Sequence, residues 1–157
     1  MKEIVDRVFL GDIHDAEAVI KGESVGVTGM INCTMHPVMI SSRANIDVLM
    51  LYLNENSHID RQMADKIISF IGAQIDNGGN ILVHCHAGIQ RSPSVVLVYL
   101  LSKGIPFLDG LHLIEEKKQG NIFPTPSMLR SIAKLRLDGK KVTDREISRF
   151  TRSYPFP

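Results

Sequence analysis

The sequence predicts an α/β domain whose binding site lies at the carboxyl ends of its strands, and three observations predict it. Apolar runs of strand length alternate with segments whose apolar residues recur at helical spacing. The run Ile81-Leu82-Val83 leads, through the short stretch 85–91, straight into a segment that is apolar nearly all round, as a central buried helix would be. At 157 residues and 44% hydrophobic, the chain is the size of one domain with a sizeable core, so 1–157 reads as a single unit. Strands alternating with helices place that unit in the α/β class, where ligands bind beyond the strand ends.

Taken in order, Arg7-Val8-Phe9-Leu10-Gly11-Asp12 reads as a short strand closed by a turn, followed by a short helix over 15–21. Residues 25–32 form a second strand, stopped near His36-Pro37. Residues 46–53 are almost continuously apolar, which predicts a strand buried on both faces. Ser57, with an acid three positions on at Asp60, has the pattern of a reciprocal helix cap. Ile59, Met63, Ile67, Phe70 and Ile71 then recur at helical spacing until Asn77-Gly78-Gly79-Asn80 stops the helix. After the strand at 81–83, helices are expected over 92–103, 108–118 and 125–138, the last introduced by Pro124-Thr125-Pro126. A short basic helix over 143–149 and a tail over 153–157 complete a basic extension beyond a core of roughly 4–137.

Composition narrows the function. Eighteen Lys plus Arg against seventeen Asp plus Glu leave a formal net charge of +1, so no overall field recruits nucleic acid or an anionic membrane. No apolar run approaches the roughly 20 residues that span a bilayer, and the first residues form no secretory leader. Only Cys33 and Cys85 occur, in unlike contexts, which is no disulfide framework. A cytoplasmic, reducing setting is expected. Oligomeric state is not legible.

The chemistry concentrates in Val83-His84-Cys85-His86-Ala87-Gly88-Ile89-Gln90-Arg91-Ser92. A loop curling from a strand end into a helix start turns successive backbone N–H groups inward. They form a nest for a tetrahedral oxyanion at the positive end of the helix dipole. Gly88 supplies the backbone freedom for the curl. Arg91 offers two phosphate oxygens a planar fork of donors. The same donors should hold Cys85 as a thiolate, an in-line nucleophile whose product is a phosphocysteine. Ser92 is placed to bond the sulfur and help it leave. His86, Ala87, Gly88, Ile89, Gln90 and Arg91 are the phosphate-binding positions. Two blander readings stand beside this one. Cys85 also reads as a small buried hydrophobe at a strand end. His84-Cys85-His86 contains metal-ligand types, but no partner pair at finger-like spacing accompanies them, so no metal and no cofactor is expected.

The segment from His84 to Ser92 resembles the signature loop of the dual-specificity subgroup of cysteine-dependent protein tyrosine phosphatases. Val8-Phe9-Leu10-Gly11 with Asp15-Ala16, Met30-Ile31-Asn32, Val98-Tyr99-Leu100-Leu101, and Pro124 with Met128-Leu129 extend the resemblance over about residues 4–137. It implies a central, mainly parallel sheet flanked by helices, with the phosphate-binding loop between a strand and the central helix. It also implies hydrolysis of phosphotyrosine, together with phosphoserine and phosphothreonine, through phosphocysteine and without metal. The expected partner is a phosphorylated protein. An RNA 5′-phosphatase on the same fold, and a phosphate-binding relative without turnover, are the rival readings.

The family places an aspartate about thirty residues before the cysteine, where it protonates the leaving oxygen. Here that register falls on Leu53-Asn54-Glu55-Asn56, and Asn54 has no proton to deliver. Glu55 and Asp60 are the acids near enough to substitute. Asp60 also reads as the partner of Ser57 in a cap, and Glu55 as a solvated loop carboxylate, which leaves the acid unassigned. Cys33 reads as a buried structural thiol, and Arg43 as a candidate contact at the rim of the site. No lysine or arginine lies between Cys85 and Arg91, which favours a single phosphate on a side chain over a multiply phosphorylated ring.

Overall fold

The computed structural model describes residues 1–24 and 26–152. Val25, the first residue of the second expected strand, and the tail at 153–157 lie outside the described residues. The elements run β1 (Lys2–Val5), β2 (Val8–Gly11), α1 (Ile13–Lys21), β3 (Val27–Asn32), β4 (Asp47–Met50), α2 (Arg61–Asp76), β5 (Asn80–His84), α3 (Arg91–Ser102), α4 (Phe107–Lys118), α5 (Pro126–Leu135) and α6 (Asp144–Arg152).

Five strands form one sheet in the order β1-β2-β5-β3-β4. β2, β5, β3 and β4 are mutually parallel, and β1 is antiparallel to β2. The α/β architecture and the mainly parallel sheet are therefore as expected. β1 was not foreseen. Its four residues have no strong alternation, and its turn, Asp6-Arg7, contains neither glycine nor asparagine although Arg7 adopts φ 62°.

β5 divides the interior by simple alternation. Ile81, Val83 and Cys85 join the larger core, which α2, α3, α4 and α5 cover, whereas Leu82 joins Ala16, Val19, Val27 and Met30 on the α1 side. α3 is buried from Ser92 through Leu101, which explains why its sequence from Val95 to Leu101 is apolar nearly all round. α6 also belongs to the packed structure: its Ile147 and Phe150 reach the larger core, so the basic extension is docked through residue 150.

Two expected elements need correction. The run at 46–53 gives only the short β4, an edge strand whose residues are exposed or half-buried and which is not covered on both faces. The Leu51 N–H still reaches the carbonyl of Asn32 at 3.0 Å, but Tyr52 turns into the left-handed region at φ 49° and ends the strand. The reciprocal cap of Ser57 and Asp60 does not form. Asp60 is itself the N-cap of α2, its Oδ1 accepting from the Met63 N–H at 2.8 Å, and the Ser57 hydroxyl accepts from the Asn54 N–H instead. The capping box lies earlier, at α1, where the side chains of Asp12 and Asp15 each accept from the other's backbone N–H. Thr125 and Pro126 open α5 as expected.

Candidate active site

The residues 85–90 join the carboxyl end of β5 to the first turn of α3, and neighbours on both sides brace them. The Ile13 N–H donates to the carbonyl of His86 at 3.0 Å, and the Phe123 N–H donates to that of Ile89 at 2.6 Å. Gly88 has φ 68°, and a Cβ there would stand 2.8 Å from the carbonyl oxygen of Gly11, so both conformation and space demand glycine. Ile13 and Phe123 carried no signal in the sequence for this role, because they act through backbone groups.

Cys85 lies at the floor of the loop, 1% exposed. The Ser92 hydroxyl donates to its Sγ at 3.2 Å. Burial pushes the Cys85 thiol up, but the Ser92 hydroxyl and the backbone N–H groups of Ser92, Gln90 and Gly88 bond the sulfur, and together they hold it below its ordinary value. Among the described residues no side chain caps α3, whose N-cap is Gln90, which leaves those N–H groups and the helix dipole directed into the loop. His86 and Ala87 are exposed around the opening, Ile89 and Gln90 half-buried.

Arg91 begins α3 and is partly buried. Its Nη1 donates to the carbonyl of Leu53 at 3.2 Å, while its Nε is buried with no partner among the described residues. A buried guanidinium donor without an acceptor is costly unless an anion takes it. His84, fully buried, has its Nδ1 3.3 Å from the Cys85 carbonyl, and burial lowers its pKa, which favours the neutral ring.

The other candidates disperse. Cys33 is fully buried at the end of β3, where its N–H donates to the His84 carbonyl at 2.9 Å; burial pushes its thiol well up, in keeping with a structural role. Arg43 does not line the cavity beside the loop. Its backbone lies against Gly22, at the end of α1 opposite the one that touches the loop. Asn54 ties its own turn by accepting from the Asn56 N–H, and Glu55 is exposed, its carbonyl held by the Ser127 hydroxyl at 3.4 Å. Asp60 is occupied as a cap. Among the described residues no three His, Cys, Asp or Glu side chains gather as a metal site requires, and no helix is long and apolar enough to cross a membrane.

The class that this sheet and loop define is that of the cysteine-dependent protein phosphatases. Within that class, residues 8–137 match the model of the dual specificity phosphatase catalytic domain, and the chain belongs to that family. It is 28% identical over 139 residues to dual specificity protein phosphatase 2 of Mus musculus, covering 85% of this chain and 42% of that protein. It is 27% identical over 138 residues to dual specificity protein phosphatase OPG106 of vaccinia virus, covering 84% and 80%. The chain thus spans less than half the length of the mouse relative and most of the viral one. Among solved structures, human DUSP28 shares the fold with a TM-score of 0.75 at 18% identity, over 87% of this chain and 95% of that one.

Proposed function

We propose that the chain removes single phosphates from phosphotyrosine, and from phosphoserine and phosphothreonine, in protein substrates through a covalent phosphocysteine. The Cys85 thiolate attacks phosphorus in line with the ester oxygen, the S–P bond forms as the P–O bond breaks, and the freed side-chain oxygen takes a proton. Water then attacks the phosphocysteine, and the sulfur leaves as a thiolate stabilised by the Ser92 hydroxyl. Backbone N–H groups of the loop from His86 to Arg91 hold the three peripheral oxygens, and the Arg91 fork turns from Leu53 onto two of them. The observation that carries this reading is the Ser92 hydroxyl 3.2 Å from the Cys85 sulfur, with a pKa held down against burial. A purely structural thiol gains nothing from that arrangement.

Glu55 is the acid we assign to the leaving oxygen. It is exposed, two residues from the carbonyl that Arg91 touches, and it is not engaged as Asp60 is. The reaction requires a thiolate, so a cytoplasmic, reducing setting belongs to the same proposal. The test is turnover of para-nitrophenyl phosphate and of phosphopeptides. Cys85→Ser should abolish turnover while phosphate binding persists, and Arg91→Lys should lose most activity. Turnover by Cys85→Ser within tenfold of the parent overturns the mechanism.

A further inference from the structure

A cavity of about 350 Å³ opens directly beside the phosphate loop, between that loop and the chain leaving β3. His86 and Arg91 form its wall on the loop side, Ile13 comes from the start of α1, and Asn32, Thr34 and Met35 through Val38 complete it. We propose that this cavity is a specificity subsite receiving an apolar side chain adjacent to the phosphorylated residue of the substrate. The proposal rests on the phosphatase reading of Cys85 and deepens it.

Three observations support the assignment. First, the cavity is continuous with the place of chemistry, because Arg91 lines both. Met35 and Val38 line the same cavity as Arg91.

Second, its wall is built rather than loose, and building it consumes the polar atoms. The fully buried Asn32 donates through Nδ2 to the His36 carbonyl at 3.0 Å and accepts from the Thr34 N–H at 2.8 Å. The Thr34 hydroxyl donates to the same His36 carbonyl at 3.2 Å and accepts from the His36 N–H at 3.2 Å. Asn32 and Thr34 thus spend these hydrogen bonds on the chain's own backbone. Ile13, Met35, Pro37 and Val38 form an apolar face, beside the imidazoles of His36 and His86.

Third, the charge pattern favours an apolar neighbour over a charged one. Among the described residues no carboxylate lines the cavity to attract a basic neighbour, and the one guanidinium there, Arg91, is required by the phosphate itself. An acidic neighbour would compete with the phosphate for Arg91, and no lysine or second arginine lines the cavity among the described residues. Met35 is 50% exposed, an unbranched apolar side chain that adapts its shape to what covers it.

The experiment measures kcat/KM for phosphotyrosine peptides that carry leucine, glutamate or lysine at the position before or after the phosphoresidue, beside para-nitrophenyl phosphate. Leucine on one side should exceed glutamate and lysine by roughly tenfold, the effect of one partly buried apolar side chain. Met35→Glu should erase that preference and leave para-nitrophenyl phosphate turnover unchanged, and Met35→Leu should keep it. Equal rates for all three residues on both sides overturn the subsite, as does a preference that survives Met35→Glu. If para-nitrophenyl phosphate itself is not turned over, the phosphatase reading is what fails. The same peptides ranked by binding to the Cys85→Ser variant then decide the subsite independently.

Discussion

Ser92 and Cys85, seven positions apart in sequence, meet at 3.2 Å because the strand ends and the helix begins on opposite sides of one tight loop. The hydroxyl lowers the thiol from a side chain, against the upward push of burial, and the backbone N–H groups of Ser92, Gln90 and Gly88 act in the same direction. Removing it therefore has a defined consequence. With Ser92→Ala the Cys85 pKa should rise, and the acidic limb of the kcat/KM profile should move to higher pH. Breakdown of phosphocysteine should also slow, by roughly ten- to a hundredfold for a bond to a charged group. Rapid-quench trapping of a phosphoenzyme checks the second effect, and an unmoved acidic limb would refute the first.

The same pKa governs stability. Cys85 loses its proton in the folded protein below the ordinary thiol value of 9.0, so between the folded value and 9.0 the unfolded chain binds more protons. Stability from this group is fully present above 9.0 and is lost as pH falls through the folded value. Urea melts across that range should show a rise with pH in the parent that is absent in Cys85→Ala.

Gly88→Ala should cost at least about a hundredfold in turnover while far-ultraviolet circular dichroism stays unchanged. The added methyl meets the Gly11 carbonyl oxygen at 2.8 Å in a backbone conformation that alanine disfavours, and displacing loop N–H groups removes donors of the oxyanion-hole kind.

Glu55 and Asp60 should separate cleanly. Glu55→Gln should slow substrates with poor leaving groups, by roughly 10²–10⁴-fold, and spare para-nitrophenyl phosphate. Asp60→Ala should instead lower the folding free energy by about 0.5–2 kcal/mol through loss of the α2 cap, with little kinetic change. A leaving-group-dependent defect in Asp60→Ala alone would reverse the assignment.

Much of this was legible in the sequence, for physical reasons that also mark where legibility stops. The loop from Cys85 to Ser92 could be read because its chemistry depends on side chains at fixed spacing beside a buried strand and a buried helix. The long apolar run at 46–53 misled because hydropathy does not report backbone dihedrals: Tyr52 turns the chain, and the sheet edge leaves β4 half-exposed. Asp60 was recognised as a capping residue but given the wrong place in the cap, since one carboxylate three residues from a serine fits either position. The supports from Ile13 and Phe123 were invisible, because a backbone N–H is common to almost every residue.

Those two supports also bear on how the chain comes to be active. Ile13 is near the beginning of the chain and Phe123 well beyond α3, yet both hold the same short loop. Contacts spanning such sequence distances close late, because the intervening chain must first be ordered. During synthesis, β5 and the cysteine emerge before the segment carrying Phe123 exists. A nascent chain that stops short of it can pair its strands and still lack a finished oxyanion cradle, so competence for catalysis should arrive as one of the last events of folding.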